Sequence, residues 1–97
     1  MTKLKLVEYL RAAIQEWAQQ HNIELALSEV NLTGIDLNVH IIVVARRGFE
    51  NWPEIDRFES LNKFLRSKLN QEGILNMMTL TTMTEEEYDQ YERVEVS

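Results

Sequence analysis

The stretch Asn76-Met77-Met78-Thr79-Leu80-Thr81-Thr82-Met83-Thr84-Glu85-Glu86-Glu87-Tyr88 constrains this chain more than any other. Its first part is apolar and threonine-rich, the composition of a strand, because β-branched side chains suit a pleated surface. It runs without a linker into Thr84 and, three residues on, Glu87. That is the spacing of a capping box, in which each side chain satisfies a free amide at a helix start. A strand over residues 75–83 and a short acidic helix over 85–92 are therefore expected at this end.

Working back from that segment, the pattern predicts four more elements. Leu6, Leu10, Ala13, Ile14 and Trp17 recur at three- and four-residue steps, which predicts a helix over 3–20, with Thr2 as its N-cap. Asn22 is suited to the left-handed turn that ends it. Residues 23–32 alternate imperfectly and residues 35–45 alternate well, with Thr33-Gly34 between them, so a hairpin is expected. In the second strand Leu37, Val39, Ile41 and Val43 share one face, and Ile42 and Val44 are apolar on the other. That strand should be central and covered on both sides over its second half. After Arg46-Arg47-Gly48 and a loop, Pro53 opens a helix running to about Asn70, with Phe58, Leu61, Leu65 and Leu69 as its core stripe and Gly73 as its stop.

The order is α-β-β-α-β-α: a two-layer α+β sandwich, with helices packed on one face of a three-stranded sheet. At 97 residues, with no repeat, it reads as a single domain over 1–97. The longest apolar run, Ile41 to Ala45, is far too short to cross a membrane, and no secretory signal is legible at the start. With no cysteine there is no disulfide, thiolate nucleophile or cysteine-held metal, and a cytoplasmic setting is expected. Six acids and one base fall in residues 84–97, against ten acids and nine bases in the rest. The net charge of −6 therefore resides mostly in the tail, and the basic stripe of a nucleic-acid binder is missing.

The second half of the chain, about residues 37–90, resembles the BolA-like family, a variant of the class II KH-like fold. In that family a strand leads to a Phe-x-Gly-like loop and an Arg-His-Arg segment opens the long helix. A strand reading roughly His-Ala-Leu-Ser-Ile-x-Thr then precedes Thr-Pro-Glu-Glu-Trp. Here Val43-Val44-Ala45 leads to Phe49, Arg57-Phe58-Glu59 stands for the Arg-His-Arg, and residues 76–88 align without a gap to the last strand and helix start. The family's cluster-binding His is replaced by Asn76, a poor ligand for a [2Fe–2S] cluster, and the hairpin link 31–35 offers neither Cys nor His. The resemblance thus implies a BolA-like domain that has lost cluster binding, with no cofactor and no metal.

Single residues add little chemistry. His21 and His40 are too few for a metal site, which needs three or four converging ligands. Arg46 and Arg47 could cradle an anion, or one of them could pair with Glu50 or Glu54 while the other points to water. Trp52, near Phe49, could lid the core or anchor a partner. No Gly-x-x-Gly joins two helices, so the nucleic-acid clamp of KH domains is absent.

The reading that follows is a small non-enzymatic protein-interaction domain, an adaptor or regulator, with Arg46, Arg47, Phe49, Trp52 and Arg57 as the expected partner-binding residues. The partner is another protein, bound through the Phe49–Trp52 loop and the edge of the sheet, with a homodimer through the edge strand as a further option. The alternatives are a single-stranded nucleic-acid-binding KH-like module, or an accessory subunit of an enzyme.

Overall fold

The computed structural model describes residues 3–33, 38–68 and 78–96. They form α1 (Lys3–Gln20), β1 (Glu24–Thr33), β2 (Asn38–Arg47), α2 (Glu54–Lys68), β3 (Met78–Thr84) and α3 (Glu85–Val96), in the expected order. Thr2, the hairpin residues 34–37, Leu69, Asn70, Gly73 and positions 75–77 of the expected last strand, Asn76 included, lie outside the described residues.

The α1 helix ends in a Schellman turn. Asn22 takes φ 56°, the Ile23 amide donates to the Ala18 carbonyl at 2.8 Å, and the Asn22 amide donates to that of Gln19 at 3.4 Å. The turn pulls Ile23 into the core beside Trp17 and Ala18. At the other end of the domain the expected capping box forms. The Thr84 amide donates to Glu87 Oε1 at 2.7 Å, and the Glu87 amide donates to Thr84 Oγ1 at 3.1 Å.

The sheet is mixed, in the order β1-β2-β3. The hairpin strands β1 and β2 pair antiparallel, with Val30 opposite Ile41. The third strand joins the free edge of β2 in parallel, with Ile41 opposite Leu80 and Ala45 opposite Thr84. A parallel neighbour needs a crossover, and α2 lies in that connection. The imperfect alternation of β1 has a physical cause. Leu25 pairs with Ala45 and Leu27 with Val44, so Ala26 is an extra residue in a bulge.

One continuous core lies between α1, α2 and the sheet. It includes Leu10, Ile14 and Trp17 from α1, Val39, Ile41 and Val43 from β2, Leu61 and Leu65 from α2, and Leu80 from β3. The two helices lie side by side on this face, α1 against β1 and α2 against β3. By pleat alternation Val44 and Met83 point to the second face, and both are buried there, near where α3 starts and touches both strands. Further out on that face Ile42 is half-buried and His40 exposed. The central strand is thus covered on both sides only in its second half.

One expectation is corrected. Phe58 does not belong to the core stripe of α2: it is 39% exposed, and Arg57 is buried instead. The buried positions 57, 61 and 65 step by four, so the stripe enters the first turn one residue earlier than the apolar pattern suggests. Hydrophobicity alone would choose Phe58. Arg57 takes the seat because the neighbouring loop and α3 offer it polar partners.

Candidate functional site

Two regions compete as the working surface: the loop from Arg46 to Trp52, and the open edge of β3.

The loop is built as a buttress. Gly48 sits at φ +108°, where a side chain is strained, and a Cβ there would lie 2.8 Å from the Ile23 Cα. Its amide donates to the Glu50 carboxylate at 2.8 Å, and this bond holds the Glu50 carboxyl below its ordinary value. Phe49 is 1% exposed and fills the core against Trp17. Trp52 stacks on Trp17 at 5.7 Å, with His21 against its ring at 5.3 Å. The Trp17 indole N–H, buried by this stack, donates to Ser60 Oγ at 3.0 Å.

Arg57 locks the loop from below. Its Nε donates to the Trp52 carbonyl at 2.7 Å, and a terminal nitrogen donates to Glu87 at 3.1 Å. Its guanidinium lies 4.8 Å from the centre of the Phe49 ring. The Thr84 amide first, and then Arg57, hold the Glu87 carboxyl below its ordinary value. A guanidinium this buried is compensated by the Trp52 carbonyl, the Glu87 carboxylate and the Phe49 ring face.

The five residues expected to bind a partner therefore separate. Phe49 and Arg57 are buried and present no side chain to a partner, because they bridge the loop to the core and to α3. Trp52 is half-buried and lids the core. Arg46 lies 3.3 Å from Glu24 and 3.6 Å from Glu85, and Arg47 lies 3.8 Å from Glu24. Neither partner is the Glu50 or Glu54 expected from proximity in sequence. The recess beside Arg46, about 310 Å³, is also lined by Glu50, Glu85 and Glu86, so it offers carboxylates where an anion cradle would need amides and cations. Among the described residues no group of three or more His, Cys, Asp or Glu side chains could hold a metal ion.

The β3 edge is different in kind. Its sequence, Met78-Thr79-Leu80-Thr81-Thr82-Met83-Thr84, has no charge, no proline and no register break. The opposite edge, β1, carries Glu24 and Glu29 and the bulge, which are common ways of blocking edge-to-edge pairing. Above the β3 edge, α2 overhangs with Ile55 66% exposed and Phe58 39% exposed. Together Glu54, Ile55, Phe58, Leu80, Thr81 and Thr82 line a groove of about 410 Å³. In its wall Thr82 is 2% exposed, and its hydroxyl has no hydrogen-bond partner among the described residues. Among the described residues no strand pairs with the outer side of β3, so its backbone groups under the apolar overhang can pair with an incoming strand.

Reading the sequence for function missed Ile55 and Phe58. The available signal was two apolar residues three apart in α2, ahead of the Leu61 and Leu65 stripe. No family model matches the chain, and neither a curated protein nor a solved structure matches it. Among the described residues no helix is long and apolar enough to cross a membrane.

Proposed function

We propose that this chain is a small non-enzymatic protein-interaction domain, BolA-like in architecture and without an iron–sulfur cluster, acting as an adaptor or regulator in the cytoplasm. Its working surface is the β3 edge with the overhang of Ile55 and Phe58, in place of the Phe49–Trp52 loop. The observation that carries this reading is the contrast between the two edges: β1 is blocked by charge and a bulge, and β3 has no strand beyond it among the described residues and lies beneath exposed apolar side chains. Monomeric proteins protect such edges, so an open one is best understood as a place where another chain pairs. The rim also favours protein over nucleic acid. Arg46 and Arg47 are committed to Glu24 and Glu85, and the groove itself is lined by Glu54.

The test compares proteins captured from a cell extract by the immobilised chain and by its Ile55→Lys variant, with thermal melts run on both. The expected result is a specific captured set that the variant loses at an unchanged melting temperature. Retention of the same set by the variant overturns the assignment of the surface. Capture of single-stranded RNA that falls steeply with salt would carry the nucleic-acid alternative instead.

A further inference from the structure

The chemistry of the groove narrows what can occupy it. We infer that the β3 edge takes a lone, extended, basic segment of another protein, pairing as a fourth strand with apolar side chains turned toward Ile55 and Phe58. This rests on the reading of β3 as a docking edge and adds the kind of partner.

Two observations lead there. The first is the position of α2. It packs over β3, and Leu80 and Thr82 on the helix-facing side of that strand are buried. A new strand would lie about 4.8 Å beyond β3. A second copy of this chain offering its own β3 would bring its own α2 to the same height, whereas packed helices need about 8–10 Å between axes. A segment without a helix of its own meets no such obstacle. It slides under the overhang, where alternate side chains face the apolar groove and the others face away.

The second observation is charge. Glu54 lines the groove, and Glu85, Glu86 and Glu87 open α3 directly after β3. Arg57 and Arg46 engage Glu87 and Glu85, while Glu54 and Glu86 have no ion-pair partner among the described residues. An incoming strand therefore meets negative charge at the Thr84 end of the edge, and lysine or arginine there is favoured over acid.

The probe is a nine-residue capped peptide alternating valine and lysine. The controls are the same peptide with glutamate for lysine, and a scramble of equal composition that does not alternate. Binding to the full chain is followed by anisotropy and by amide hydrogen exchange, with light scattering at the same concentration. The expected result is slowed exchange confined to residues 79–84, with binding by the alternating basic peptide alone and at least tenfold weaker binding in the Ile55→Lys variant. Equal binding of the glutamate peptide or of the scramble overturns the inference, as does binding with no protection in β3. A dimer of the free chain that Ile55→Lys dissociates also overturns it, in favour of a second copy, while leaving the docking edge intact. If the peptide fails and the extract capture remains sensitive to Ile55→Lys, the partner class is wrong and the interaction reading stands. If both fail, both fall.

Discussion

The Arg57 guanidinium lies 3.1 Å from the Glu87 carboxylate, joining the first turn of α2 to the first turn of α3. The Arg57 side chain is 8% exposed and that of Glu87 44% exposed, so the pair is sealed on one side and wet on the other. Glu87 also closes the capping box with Thr84. One carboxylate thus ends β3, starts α3 and neutralises the cation that supports the Phe49–Trp52 loop.

Arg57→Ala should destabilise the domain by about 2–4 kcal/mol, the scale for removing a buried, hydrogen-bonded charge whose partners are left unpaired. The Trp52 carbonyl loses its donor and the Phe49 ring its cation. Arg57→Lys should recover little, because an ammonium cannot reach Trp52 and Glu87 together while stacking on Phe49. Urea unfolding of the three proteins gives the comparison, and a loss under about 0.5 kcal/mol for Arg57→Ala would contradict this account.

Acid sensitivity should trace to Glu87. Its carboxyl is held below the ordinary value of 4.5, chiefly by the Thr84 amide. A depressed folded-state value means that the unfolded chain binds the proton more readily. The stabilisation is therefore complete above the ordinary value and is lost as the pH falls through the lowered one. Glu87→Gln should be less stable at neutral pH and show a shallower decline on acidification, read from urea midpoints between neutral and acidic pH. Parallel declines would place the titration elsewhere.

Trp52→Ala should cost about 2–3 kcal/mol, somewhat below the range for a fully buried aromatic, since the ring is half-buried against Trp17, His21 and Phe49. The emission of Trp17 should shift to the red as its ring is uncovered. Arg47→Ala should change stability by less than about 0.5 kcal/mol, its side chain being 80% exposed with one long ion pair. Paired melts and fluorescence spectra separate the two. An unchanged melting temperature for Trp52→Ala would return that ring to the list of partner anchors.

Thr82→Val should stabilise the free domain by about 1 kcal/mol, because a near-isosteric methyl replaces a buried hydroxyl with no partner among the described residues. A destabilised Thr82→Val would mean that the hydroxyl is already satisfied in the free protein.

Much of the architecture was legible in the chain itself, for local reasons. The Leu6–Trp17 stripe, Asn22 at the helix end, and the spacing of Thr84 and Glu87 each express short-range geometry, and each forms as read. The alternation of β2, with Ile42 and Val44 on its second face, likewise marked the central strand, because burial on both sides removes the need for polar positions. What the tertiary structure alone decided concerns residues whose roles depend on distant partners. Arg57 is buried and Phe58 exposed because Trp52 and Glu87 converge on the guanidinium, and Glu87 lies thirty residues further along the sequence, so the arrangement leaves no local trace. For the same reason Phe49 is buried in the core and Trp52 half-buried against Trp17, while Ile55 and Phe58 are exposed. Helical periodicity gives the spacing of a stripe, but which stripe faces the core is settled by the elements packed around it.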